Sequence, residues 1–207
     1  MNKEIVNYLD KLIPNPKCEL NYNKDYELLI AIVLSAQTTD KRVNKVTEKL
    51  FSKYPDLKSL SEADISDIEE IIREIGTYKR KSIYVKEIAT KLVEDDYLVV
   101  PNDREYIESL PGVGRKTANV FLSNIYNEPA IAVDTHVFRV TNRIGIVNEK
   151  NVEKTEFALM DVIPKNRWSH SHHLFIFHGR RMCKARKPEC DACPIKDDCD
   201  YYNNLQK

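Results

Sequence analysis

Four of the five cysteines in this 207-residue chain, Cys183, Cys190, Cys193 and Cys199, crowd into one stretch near the C-terminus, spaced C-x6-C-x2-C-x5-C. Four thiols that close together make poor core filler, and in a reducing compartment paired disulfides are disfavoured. The pattern predicts thiolate ligation of a metal centre, and spacing alone does not choose iron over zinc. Lys184, Arg186 and Lys187 lie between the first two thiols, and Arg180 and Arg181 just before, with no acid from 180 to 187. A loop held by a metal site and rich in cations is suited to phosphate contacts. Cys18 stands far away and is expected to be a small buried hydrophobe.

The second group is "LPGVGRKTA", Leu110–Ala118, which holds two of the chain's five glycines. A phosphate-binding P-loop would need glycines where Arg115 and Leu110 stand. A dinucleotide fingerprint would need a glycine at Thr117 and a strand before it, where "NDREYIES" reads as helix. What remains is helix, Leu-Pro-Gly-Val-Gly, helix. That corner suits a phosphate seat made of exposed amides, or equally a tight interhelical turn with no ligand. On the second helix Lys116 shares a polar direction with Asn119, Ser123 and Asn127, opposite Ala118, Phe121, Leu122 and Ile125. It lies in the first turn, beside Arg115, where the helix dipole disfavours an ammonium. An amine that must attack carbon needs that bias. In "IAVDTHVFR" Asp134 reads as a helix N-cap, a position that fixes and ionises a carboxylate.

Short helices position these groups, and no convincing strand appears. Ile68, Ile71, Ile72 and Ile75 follow the helical period, with Ser66 and Glu69 as a capping box and Gly76 as a stop. Val85, Ile88, Ala89 and Leu92 repeat it, as do Val137, Val140 and Ile144 before Gly145. Asn151 is expected to cap a helix with Val152, Thr155, Leu159 and Val162 inside. "LLIAIVL", residues 28–34, is apolar on every side and predicts a central buried helix. The chain reads as all-α.

Hydrophobic residues make up 42% and charged residues 31%, which favours a globular protein over disorder. No apolar run approaches the ~20 residues that cross a bilayer, and the charged N-terminus is unlike a signal peptide, so the expected compartment is the cytoplasm or nucleoid. Net charge is zero, but residues 1–110 sum to −4 and 111–207 to +4, so a polyanion-binding face is expected mostly in the second half. His170, His172, His173 and His178 crowd one segment without a ligand spacing and are expected to pack, with His136 beside Asp134 also structural.

"LPGVGRKTAN", "AVDTHVFR", the four-cysteine spacing, "LSAQTTD" at 34–40 and "IGTYKRKS" at 75–82 together resemble the endonuclease III family of helix-hairpin-helix DNA glycosylases, over about residues 20 to 200. The resemblance implies two helical domains flanking a DNA-binding cleft. Residues 21–129 would form a six-helix domain, with the hairpin at about 103–127. Residues 1–20 and 130–207 would form a domain with a [4Fe-4S] cluster on Cys183, Cys190, Cys193 and Cys199. It implies base-excision repair of double-stranded DNA containing damaged pyrimidines or abasic sites, by a monomer that engages no membrane. Lys116 would attack the sugar C1′ and Asp134 would stabilise the developing cation. Gln37 would fill the gap left by the flipped base. Leu110, Gly112, Val113, Gly114, Arg115 and Thr117, with Lys184, Arg186 and Lys187, would contact the DNA backbone. Two departures stand out. Thr77 occupies the place of a bulky apolar wedge, which bears on opposing-base preference, and "YLVVP" replaces a glycine-containing loop. Related adenine glycosylases and mismatch thymine glycosylases usually lack the lysine. A non-catalytic DNA-binding protein of the same build is opposed by Lys116 and Asp134 together.

Overall fold

A computed structural model describes residues 2–14 and 16–205. Met1, Asn15, Gln206 and Lys207, which the sequence assigns to the cluster-bearing domain, lie outside the described residues. All regular structure among the described residues is helical. The chain divides into two compact units, one of Glu19–Tyr126 and one of Met1–Cys18 with Asn127–Lys207. The helix α1 (Asn2–Leu12) opens the second of these.

In the Glu19–Tyr126 unit, α2 (Asp25–Ser35) is the axis, every side chain from Tyr26 to Leu34 being buried. Each such Leu or Ile contributes about 1.5–3 kcal/mol of transfer free energy, so a helix apolar on every side over 28–34 is stable only inside a protein. The Glu27 carboxylate accepts from the amides of Asn23 (2.7 Å) and Lys24 (3.3 Å), closing the helix start. Packed on α2 are α3 (Asp40–Lys53), α6 (Tyr78–Glu94) and α8 (Arg115–Ile125). The short helices α4 (Leu57–Glu62) and α5 (Ile65–Ile71) lie on α6, and α7 (Arg104–Ser109) lies on α8.

The unit therefore carries seven helices rather than six, because Asp56 and Asp64 each cap a separate short helix in 57–71. Asp64, not Ser66, caps α5, accepting from the Ser66 amide at 2.9 Å. That helix ends at Ile71 rather than at Gly76. Ile72 and Ile75 are buried through turns, not through a continued helix.

In the other unit α9 (Thr135–Ile144), α10 (Val152–Val162) and α11 (Trp168–Arg181) join α1 around one core, and the exposed α12 (Asp200–Leu205) lies on α9. Val137, Val140 and Ile144 of α9 lie in that core with Leu159, Leu174 and Phe175. Asn151 caps α10 as expected, by accepting from the Lys154 amide at 2.9 Å. Its expected inner face is partly wrong. Thr155 and Leu159 are buried, but Val152 and Val162 are exposed, since α10 rotates Glu156 inward instead. Cys18 is half-exposed rather than buried.

Candidate active site and metal centre

The hairpin is built from two capped helices and a turn with two inward anchors. Asp103 caps α7 by accepting from the Tyr106 amide at 3.1 Å. Leu110 and Val113 point into the core, and the Val113 amide bonds the Leu110 carbonyl at 3.1 Å. The two glycines do different things. Gly112 is left-handed (φ +74°), and a β-carbon there would sit 2.5 Å from Cδ2 of Tyr84. The fold itself thus requires glycine at 112. Gly114 has extended backbone (φ −113°, ψ 178°), caps α8, and would meet nothing within 4 Å if it carried a β-carbon. Nothing in the protein demands glycine at 114, and its bare side faces open space.

Lys116 follows in the first turn of α8 and is exposed, as are Gly114 and Arg115, while Thr117 is half-buried. Asn119, expected on the polar face with Lys116, is instead buried and accepts from Nη1 of Arg104 at 2.8 Å. That bond ties α7 to α8 and stiffens the hairpin beneath Lys116. Gln37 is exposed in the loop after α2, with left-handed backbone (φ 60°). Thr77, which caps α6, is left-handed too (φ 58°), a rare state for a β-branched residue.

Asp134 and the cysteines belong to the other unit. The Asp134 side chain accepts from the amides of His136 and Val137, both at 2.8 Å and both through Oδ1. Oδ2 carries no bond among the described residues, so one oxygen holds the helix and the other is uncommitted. His136 lies beside it, its pKa lowered chiefly by burial.

Cys183, Cys190, Cys193 and Cys199 all line one small pocket, together with Ile144 and Ile195. Burial raises the thiol pKa of Cys190, Cys193 and Cys199, and the neighbouring thiols of the set push them further up. Such thiols ionise when a cationic centre compensates them. Amides already point at two of the sulfurs, those of Ile195 toward Cys193 and of Tyr201 and Tyr202 toward Cys199. No three His, Cys, Asp or Glu side chains among the described residues group tightly enough to share one ion. Four thiols lining one pocket supply the four-thiolate donor set that a cluster takes.

Two arginines of α9 hold this loop, and the sequence reading missed both. Nε of Arg139 donates to the Cys183 carbonyl (3.1 Å) and its Nη2 to the Gly179 carbonyl (3.1 Å). Nη1 of Arg143 donates to the Lys184 carbonyl (2.8 Å) and lies 3.7 Å from the Cys183 sulfur, while Nη2 reaches the Ala185 carbonyl (3.2 Å). The available signal was their i, i+4 spacing on the polar side of the Val137–Val140–Ile144 stripe. Since Asp134 caps the same helix, one element carries the carboxylate and grips the cysteine loop. Arg186 and Lys187 are exposed, whereas Lys184 pairs with Glu189. The crowded histidines pack: Nε2 of His170 meets Oδ1 of Asp10 at 2.5 Å, and His172 and His178 are buried.

A helical hairpin with an open amide face, a lysine on its second helix and a thiol-lined pocket define a class. The family model of HhH-GPD superfamily base excision DNA repair proteins matches residues 30–165, and that of the iron-sulfur binding domain of endonuclease III matches residues 183–199. Endonuclease III of Rickettsia conorii is 44% identical over 210 residues, covering 100% of both chains. That of Escherichia coli K12 is 44% identical over 209 residues, covering 99% of each. The solved structure of a trapped endonuclease III–DNA covalent intermediate matches with a TM-score of 0.93 at 41% identity, covering 100% of this chain and 99% of that one. The chain belongs to the endonuclease III family, as a base-excision-repair DNA glycosylase with abasic-site lyase activity that carries a [4Fe-4S] cluster. No helix among the described residues is long and apolar enough to cross a membrane.

Proposed function

We propose that the chain removes oxidised pyrimidines from duplex DNA and cleaves 3′ to the resulting abasic site, with Lys116 as nucleophile and Asp134 as its electrostatic and proton-transfer partner. The observation that carries this is the exposed Lys116 in the first turn of α8, directly after a turn whose bare Gly114 face leaves room for a phosphate. The solved covalent endonuclease III–DNA intermediate, at 41% identity, supports a covalent route for this chain.

The damaged nucleotide leaves the stack, because C1′ is unreachable within it. The backbone amides of the hairpin turn hold the flanking phosphate, and Gln37 occupies the gap. The deprotonated Nζ of Lys116 attacks C1′, the C1′–N bond breaks, and the base leaves with the electron pair and takes up a proton. Opening of the sugar ring gives a Schiff base between Nζ and C1′. Loss of a C2′ proton then expels the 3′ phosphate by β-elimination. Oδ2 of Asp134 stabilises positive charge developing on the sugar and relays protons, while Oδ1 stays committed to α9.

Cys183, Cys190, Cys193 and Cys199 hold the cluster, whose contribution when bound is to cross-link their loop. Arg186 and Lys187 offer cations to the backbone. The exposed Lys184–Glu189 pair is worth under ~1 kcal/mol, so a phosphate displaces Glu189 at small cost. A DNA substrate puts the protein at the nucleoid, in the cytoplasm. The test is a duplex with one oxidised pyrimidine, scored separately for free base and for strand scission without alkali. The proposal expects both, with a 3′ unsaturated aldehyde end. Base release that leaves the strand intact would contradict it.

A further inference from the structure

Lys81 is 5% exposed, and no carboxylate among the described residues pairs with it. Its ammonium donates instead to two backbone carbonyls at the end of α2, Leu34 at 2.9 Å and Ala36 at 2.6 Å. Carbonyls at a helix C-terminus lack intrahelical partners and carry the negative end of the dipole, so they are fit acceptors for a buried cation. Desolvation still lowers its pKa. A Met or Leu would fill the same space without that cost, so a lysine here calls for another reason.

Its neighbours supply one. Ala36 is followed at once by Gln37. On the other side, the Lys81 amide donates to the Thr77 carbonyl at 3.1 Å. One residue thus holds, by its side chain, the carbonyl just before left-handed Gln37 and, by its amide in the first turn of α6, the carbonyl of left-handed Thr77. Both stand at the positions that the family resemblance assigns to insertion into the duplex.

We propose that Lys81 is a positioning residue for base extrusion, which fixes the Gln37 loop against the Thr77 turn so that both meet the duplex in register. This rests on the insertion reading of Gln37. It makes a demand that a general stabilising role does not. Only substrates that must be unstacked need the register, whereas a site already unpaired needs Lys116 and the hairpin alone.

The experiment uses the full-length, cluster-loaded protein and single-turnover kinetics on two DNAs. One is a duplex with an oxidised pyrimidine opposite a purine; the other carries an abasic site in a single strand. Lys81→Met, which keeps the length and removes the donors, is expected to slow the duplex reaction by about tenfold to a hundredfold, as a displacement near 1 Å does. Cleavage of the unpaired site is expected to stay within about threefold, well below that loss. Lys81→Arg, which can reach the same carbonyls, is expected to recover most of the duplex rate. Equal rates for Lys81→Met and the unsubstituted protein on the duplex, or equal slowing on both DNAs, would overturn the proposal. Should Lys81→Met fail to fold, Lys81→Gln, too short to hold both carbonyls, takes its place, and equal rates or equal slowing on both DNAs would overturn the proposal in the same way. Gln37→Ala is the companion: an unchanged duplex rate there would remove the insertion reading itself. Unsubstituted protein inactive on both DNAs would instead remove the function proposed above.

Discussion

Gly112→Ala and Gly114→Ala are the same chemical change two residues apart, and the structure predicts opposite consequences. At 112 the backbone is left-handed and the new β-carbon would lie 2.5, 2.9 and 3.0 Å from three carbons of the Tyr84 ring. The ring cannot swing away freely, because its hydroxyl meets Nε of Arg80 and the Arg80 guanidinium covers its face at 5.4 Å. The left-handed state costs an alanine about 1–2 kcal/mol and the overpacking about 1–3. Together they give roughly 2–5 kcal/mol, or about 4–20 °C in Tm at 2–4 °C per kcal/mol for a chain of this size. At 114 the backbone suits any residue and nothing lies within 4 Å, so the cost is that of alanine for glycine at an N-cap, under ~1 kcal/mol. The added methyl, however, covers the amide face offered to phosphate, and a charge-assisted bond there is worth about 1.5–3 kcal/mol. Gly114→Ala should therefore melt like the unsubstituted protein and bind a duplex with a stable abasic-site analogue ten- to a hundredfold more weakly. Circular-dichroism melting and fluorescence anisotropy on both variants measure this. A Gly112→Ala protein of unchanged Tm, or a Gly114→Ala protein of unchanged affinity, would refute the division of labour.

Three further outcomes follow from the other unit. Asp134→Asn keeps a good N-cap and loses the carboxylate, so Tm should stay within about 1 kcal/mol-equivalent while single-turnover cleavage falls about 10²-fold or more; parallel losses in both would mean that Asp134 is only a cap. Arg143→Met removes the bonds to the Lys184 and Ala185 carbonyls, so the visible absorbance of the cluster should bleach several times faster in air with a chelator, and an unchanged half-life would count against the clamp. His173 is held near pKa 4, chiefly by burial, against about 6.5 when unfolded. Between those values the unfolded chain binds protons that the folded chain does not. This contribution to stability is thus flat above pH 6.5 and falls as pH drops toward 4, by at most ~1.4 kcal/mol per unit. Urea midpoints from pH 7 to 4.5 should show this slope, made shallower by His173→Gln.

What the sequence made legible was local. The cysteine spacing, the Asp134 cap and the apolar run of α2 each depend on neighbours within a few positions, and each is found in the fold. The isoleucine stripe misled because Ile72 and Ile75 keep a helical period while the backbone leaves the helix at Ile71, so burial outlasted the helix. Asn119 misled because a polar residue can be buried when a distant partner, here Arg104, satisfies it. Lys81 was hidden in "YKRKS", where the cations Lys79, Arg80 and Lys81 look alike and only Lys81 turns inward, to carbonyls 45 and 47 residues back in the chain. Arg139 and Arg143 were hidden for the same reason, their acceptors lying 40 to 44 residues away. Long-range bonds to backbone carbonyls leave no trace in side-chain spacing, since every residue offers a carbonyl.

The central claim is that Lys116 forms the covalent bond. Incubating the protein with an oxidised-pyrimidine duplex under borohydride, then digesting and mapping the adduct by mass spectrometry, tests it most directly. The account predicts a stable protein–DNA complex carrying its adduct at Lys116 and none with Lys116→Ala, although that variant, altered only at an exposed side chain, still folds and binds the duplex. An adduct on any other residue, or trapping undiminished in Lys116→Ala, would contradict it.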